Sequence, residues 1–223
     1  MGQMLKLTAA DGFILDAYRA DPTGTPKGAI LVIQEIFGVN SHIRNVTDGF
    51  AAEGYVAIAP AIFDRSEHGI ELGYDQPGID AGLKARAAIP IENTLADLQA
   101  AIDAVASVGK VGIVGYCWGG TLAFVAASKL SGLSAAVGYY GGMIASTFLE
   151  DEPKIPTILH FGETDHGIPL TDVQKIMDRY PELPVHIYPA GHGFNCDQRG
   201  SYDKASAELA LTRTLEFFRN QLA

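Results

Sequence analysis

Apolar and polar positions along the chain follow two alternating rhythms. Short runs that are apolar at nearly every position, such as Gly28-Ala-Ile-Leu-Val-Ile-Gln34, predict strands buried on both faces, as parallel strands are inside a sheet. Between them, apolar residues recur at spacings of three and four, the stripe of an amphipathic helix. Ile43, Val46 and Phe50 mark the first such helix, which stops at Gly54. Tyr55 to Ala59 predicts the next strand, ended by Pro60. From Ala61 to Pro90 the periodicity is weak and glycine is frequent, so this stretch predicts a long excursion with at most one short helix.

The rhythm then resumes. Leu95, Leu98, Ile102 and Val105 mark a helix with Asn93 as a candidate N-cap. Strands are predicted over Val111 to Tyr116, Ser134 to Tyr139, Pro156 to Phe161 and Val185 to Tyr188. Helices are predicted over Trp118 to Lys129 and Thr171 to Tyr180. A final helix starts near Ser201 with Leu211, Leu215, Phe218 and Leu222 on one face. Residues 5–18 fit one or two antiparallel edge strands. Repeated strand–helix–strand units imply an α/β fold: a mostly parallel central sheet, helices on both faces, right-handed crossovers. No break in composition suggests a second unit, so one domain is expected over residues 1–223.

Composition narrows the function. With 48% hydrophobic and 19% charged residues the chain is too apolar to be disordered. Sixteen Lys and Arg against 26 Asp and Glu leave a net charge of −10, which argues against nucleic-acid or anionic-membrane partners. Two cysteines make no disulfide scaffold, so the fold must rest on its core. No apolar run behind a basic flank opens the chain, and no signal peptide is expected. The uncharged stretches Val111 to Ser128 and Ser131 to Leu149 are broken by glycines, as buried strands and turns would be, so no membrane span is expected. A cytoplasmic protein, monomeric or a small homo-oligomer, is the expectation.

In a parallel sheet, ligands bind beyond the carboxyl ends of the strands. After the strand ending at Tyr116 stands Gly115-Tyr116-Cys117-Trp118-Gly119-Gly120, a G-x-C-x-G turn leading straight into a helix. Such a turn strains its middle residue and exposes it above the sheet, and the helix N-terminus favours a thiolate there. Cys117 is therefore the candidate nucleophile, set against the ordinary fate of a free cysteine as a small core residue. A phosphate loop is disfavoured because Thr121, not Lys, follows the glycines, and no G-x-G-x-x-G is present.

A thiol nucleophile needs a base, and the base an orienting carboxylate. His160 lies inside an apolar strand and fits the core, and His166 looks incidental. His192, in Ala190-Gly191-His192-Gly193-Phe194 after the last strand, is the candidate base. Asp165, in Gly162-Glu163-Thr164-Asp165-His166-Gly167, is the candidate acid ahead of Glu163, with Asp197 and Asp172 as fallbacks. An oxyanion hole would take one backbone N–H from Trp118 and a second from the loop Gln34-Glu35-Ile36-Phe37-Gly38. Glu35 is the oddity of that loop, a carboxylate at the end of a buried strand, where charge is costly unless paired. No His, Cys and carboxylate group has metal-ligand spacing, and no cofactor is expected.

Five segments together resemble the dienelactone hydrolase family, a cysteine-using branch of the α/β-hydrolase superfamily. They are Gln34-Glu35-Ile36-Phe37-Gly38-Val39-Asn40, Gly115-Tyr116-Cys117-Trp118-Gly119-Gly120, Val137-Gly138-Tyr139-Tyr140-Gly141, the Asp165-His166 loop, and Gly191-His192-Gly193-Phe194. The resemblance spans nearly the whole chain. It implies an α/β-hydrolase fold without a large cap domain, a Cys117–His192–Asp165 triad, and hydrolysis of a small ester or lactone through a thioester. It implies backbone N–H groups of Ile36 and Trp118 as the oxyanion hole. It also implies that Glu35 contacts the resting thiol and is displaced when substrate binds. The substrate-binding candidates are Arg199, Arg65, Tyr140 and Phe37, with Arg86 the other arginine of the excursion. One departure concerns substrate: four residues after the histidine, where dienelactone-specific members carry an arginine, this chain has Cys196. The rival functions are a broad esterase or thioesterase on the same triad, or a thiol redox sensor on a hydrolase scaffold.

Overall fold

The computed structural model describes residues 2–222. Eight strands form one sheet: β1 (Gln3–Thr8), β2 (Ile14–Ala20), β3 (Ala29–Ile33), β4 (Val56–Pro60), β5 (Val111–Tyr116), β6 (Leu133–Tyr139), β7 (Thr157–Gly162) and β8 (Val185–Tyr188). Their order across the sheet is β1-β2-β4-β3-β5-β6-β7-β8. β1 and β2 are antiparallel additions at one edge, and every pair from β4 to β8 is parallel. The helices are α1 (Ser41–Ala52), α2 (Gln76–Ala87), α3 (Ile91–Val105), α4 (Trp118–Lys129), α5 (Ile144–Thr147), α6 (Leu170–Arg179) and α7 (Lys204–Leu222).

The central strands are apolar on both faces because both are covered. In β3, Ile30 and Val32 pack with Ile43 and Phe50 of α1 and Phe218 of α7. Leu31 and Ile33 face the other way, with Leu98 and Ile102 of α3 and Leu122 and Ala126 of α4. Two cores therefore sandwich one sheet.

Three details differ from expectation. The excursion holds a full helix, α2, whose N-terminus is capped by Asp75 accepting from the Gly78 N–H at 2.9 Å. Its buried residues are Gly78, Gly82 and Ala85, a stripe of small residues that hydrophobic periodicity does not register. The N-cap of α3 is Pro90, which makes no side-chain cap, and Asn93 lies within the first turn, its own N–H donating to the Pro90 carbonyl at 3.1 Å. In α7 the buried face is Ala207, Ala210, Thr214, Phe218 and Leu222. Leu211 is 42% exposed, because Ala210 and Thr214 rather than Leu211 face the sheet.

Candidate active site

The turn after β5 is built by close backbone approach. A Cβ on Gly115 would lie 1.9 Å from the Gly119 carbonyl oxygen, and one on Gly119 would lie 2.4 Å from the Ile33 oxygen. Only glycines let β5 turn into α4 this sharply. The turn places Cys117 at φ 55° and ψ −113°, a strained conformation for a residue with a side chain. Its N–H donates to the Tyr139 carbonyl at 3.0 Å, which ties the turn to β6. Cys117 is the N-cap residue of α4, so its sulfur stands at the positive end of that helix.

Three loops at the carboxyl ends of β5, β7 and β8 converge here. His192 Nε2 is 3.2 Å from Cys117 Sγ, and His192 Nδ1 is 2.7 Å from Asp165 Oδ2. Asp165 is buried, and its other oxygen accepts from the N–H groups of Gly167 at 2.8 Å and Ile168 at 3.1 Å. A carboxylate held this way only accepts, so the imidazole donates through Nδ1 and turns Nε2 toward the sulfur. Burial lowers the pKa of His192, but the hydrogen bonds to Asp165 and Cys117 outweigh it and push it up to about 10.

Cys117, His192, Asp165, Ile36, Trp118, Arg86 and Arg199 line one cleft of about 580 Å³. Trp118 opens α4, where the first backbone N–H groups have no partner within the helix. Ile36 approaches from the loop after β3, and α2 packs against its backbone: a Cβ on Gly82 would lie 2.0 Å from the Ile36 oxygen. Both expected oxyanion residues thus border the cleft beside the sulfur.

The arginines sort differently from expectation. Arg65 is taken up by Asp97, at 2.8 Å from both Nε and Nη2, and by Asp11 at 2.7 Å, and it lies outside the cleft. Arg86 of α2 stands in its place, its guanidinium 5.6 Å from the Trp118 ring centroid. Arg199 reaches the cleft between the rings of Phe37 and Tyr74, at 5.7 and 5.6 Å. Phe37 and Tyr140 are buried and do not line the cleft. Phe37 packs edge-on against Tyr74, and Tyr140 sits behind His192 with ring centroids 5.1 Å apart. They support the charged groups rather than the substrate side.

Glu35 is buried, as its position after β3 implied. Its partner is Arg199, at 3.0 Å from Oε1, while the thiol's hydrogen-bond partner is His192. The guanidinium supplies the pairing that a buried carboxylate requires. Asp172 pairs with Lys175 and Asp197 with His42, so neither fallback acid reaches His192. His160 is fully buried between Tyr188 and Thr214, at 2.8 and 3.2 Å. His186, unweighed above although it also follows Cys117, stacks on His160 in β8 away from the cleft. Cys196 is buried, and burial with Glu35 nearby pushes its thiol up to about 11.

The profile of the dienelactone hydrolase family matches residues 15–222. A carboxymethylenebutenolidase of Pseudomonas putida is 35% identical over 96% of this chain and 94% of its own. The chain belongs to the dienelactone hydrolase family. A Synechocystis protein named "Putative carboxymethylenebutenolidase" is 38% identical over 92% of this chain and 91% of its own. The solved structure of a protein titled "Putative Dienelactone Hydrolase", from Klebsiella pneumoniae, superposes with a TM-score of 0.85 at 29% identity over 98% of both chains. A Pyrococcus furiosus esterase shares the fold at TM-score 0.73 and 15% identity. This dienelactone hydrolase family member is accordingly an ester or lactone hydrolase with the α/β-hydrolase fold, and no large cap is present among the described residues. No helix among those residues is long and apolar enough to cross a membrane.

Proposed function

We propose that the chain hydrolyses small carboxylate-bearing esters or enol lactones of the dienelactone type, with Cys117 as nucleophile, His192 as acid–base and Asp165 as its orienting partner. The observation that carries this reading is the hydrogen-bonded line Asp165–His192–Cys117, at 2.7 and 3.2 Å, along a cleft that also holds two arginines. Sulfur attacks the carbonyl carbon with its proton held on His192 Nε2. The carbonyl oxygen takes up negative charge beside the backbone N–H groups of Ile36 and Trp118. As the C–O bond breaks, His192 returns the proton to the departing enol or alcohol oxygen. His192 then deprotonates water, which attacks the thioester and releases acid and thiol. Arg86 and Arg199 give a substrate carboxylate its counter-charge. A substrate carboxylate that takes up Arg199 would release Glu35 from it.

Turnover of cis- and trans-dienelactone against a phenyl acetate tests the reading. The expected result is lactone turnover that falls by about 10⁴-fold or more in Cys117→Ala. Aryl ester turnover without lactone turnover would restrict the function to a general esterase. Unchanged hydrolysis in Cys117→Ala would overturn the nucleophile.

A further inference from the structure

Glu35, His42 and Cys196 are far apart in sequence, yet their donor atoms all lie within 4.8 Å of one another, and all three residues are buried. Two of these residues also carry a buried polar atom with no partner. Glu35 Oε2 and His42 Nε2 are unsatisfied, in residues only 1% and 3% exposed. Leaving such groups unpaired costs free energy comparable to a lost hydrogen bond or more.

Each of the three is also held from behind. His42 Nδ1 is 3.2 Å from Asp197 Oδ1, which makes Nδ1 the donor and leaves Nε2, which has no partner, as the nitrogen free to bind an ion. Glu35 keeps Oε1 on Arg199 at 3.0 Å and leaves Oε2 buried without a partner. Cys196 interacts with the Gln198 backbone N–H and the Tyr74 hydroxyl. A histidine held by a carboxylate and a carboxylate held by an arginine are the outer partners that orient metal ligands.

We propose that Glu35, His42 and Cys196 form a binding site for a borderline-soft divalent cation of the zinc type. The donor set of thiolate, imidazole and carboxylate selects that class of ion over magnesium or calcium. Three donors on one zinc ion stand about 3.3–3.8 Å apart, so a contraction of roughly 1 Å closes the site. On binding, Cys196 loses its proton to solvent and forms the metal–sulfur bond. Two anionic ligands then match the dication, and the flanking charges of Arg199 and Asp197 offset each other. A second groove, lined by His42, Asn195, Asp197 and Tyr202, borders the His42 side of the cluster and shares no residue with the catalytic cleft. A bound ion would hold Glu35 at Arg199 and keep it from the Cys117 thiol.

The test uses Cys117→Ser, in which Cys196 is the sole thiol, so metal binding at the catalytic sulfur is removed. Titration with Co²⁺ should give a thiolate-to-cobalt charge-transfer band that saturates at one ion per chain, and Zn²⁺ should displace it. The band should vanish in Cys117→Ser/Cys196→Ser, and affinity should fall about 10–100-fold or more in Cys117→Ser/His42→Gln. Zn²⁺ should raise the Tm of Cys117→Ser and leave that of Cys117→Ser/Cys196→Ser unchanged. No band and no Tm shift in Cys117→Ser would overturn the site, leaving a buried water as the partner of the two orphaned atoms. A band of equal affinity after His42→Gln would overturn it as well, since that is a thiolate binding metal alone.

Discussion

At the scale of single residues, backbone packing matters as much as the reacting groups. Cys117 is held at positive φ because Gly115 and Gly119 let three backbone segments meet around it. Gly119→Ala must push the Ile33 carbonyl or the start of α4 aside. It is expected to destabilise the protein by at least about 1–3 kcal/mol, read as a lower urea midpoint. An unchanged midpoint would show that the turn can relax. Arg199→Ala strips a buried carboxylate of its counter-ion and is expected to lose roughly 3–5 kcal/mol, with much of that recovered in Glu35→Gln/Arg199→Ala. Urea unfolding of the four proteins of the cycle measures the recovery. Iodoacetamide labelling of Glu35→Gln follows the same pair chemically: altered Cys117 alkylation is expected, and an unchanged rate counts against gating by Glu35. The meeting of Cys117, His192 and Asp165 was legible in sequence because each is a reactive residue type placed just beyond a strand. The choice between Arg65 and Arg86 was not legible. It turns on Asp97, on a different helix, capturing one of them.

At the scale of elements, the strands were readable because a strand buried on both faces is apolar throughout. Helix α2 was the least readable element. It packs through glycine and alanine against the Ile36 backbone, and close approach leaves no room for the large residues that define an amphipathic stripe. The cluster of Glu35, His42 and Cys196 was equally hidden, since the ligands come from three separate loops and helices and show no local spacing. His160 ties β7 to β8 and α7 through Tyr188 and Thr214. Burial, then the nearby His186 and Arg213, lower its pKa well below 6.5. A depressed histidine pKa means the unfolded chain binds the proton and the folded chain does not. Its contribution is therefore complete above about pH 6.5 and declines as pH falls toward the folded-state value, by up to about 1.4 kcal/mol per pH unit. Urea unfolding from pH 7 to pH 5 should show a steeper loss in the wild type than in His160→Gln.

At the scale of the whole molecule, a net charge of −10 surrounds a cleft that carries Arg86 and Arg199. An anionic substrate meets repulsion at long range and attraction only at contact. Added salt screens exposed charges more than partly buried pairs. The expected outcome is that moderate salt raises kcat/KM for an anionic ester relative to its neutral analogue. A relative fall would show that the arginines govern the approach as well as the contact. The parallel order of the sheet also explains why the candidate site was largely foreseeable: consecutive strand ends bring distant loops to one edge without any local signal being required.

The position of β8 carries a consequence for how this enzyme fails. β8 is four residues long, lies at the sheet edge and is paired through β7 alone. The chain segment after it carries His192, whereas Cys117 is anchored at β5 in the middle of the sheet. Short edge elements open at lower free energy than central ones. His192 can therefore part from Cys117 while the two cores are still intact, which on the proposed mechanism would leave a folded but silent form. In a urea titration, hydrolysis should disappear before the far-UV signal does, and on refolding it should return after it.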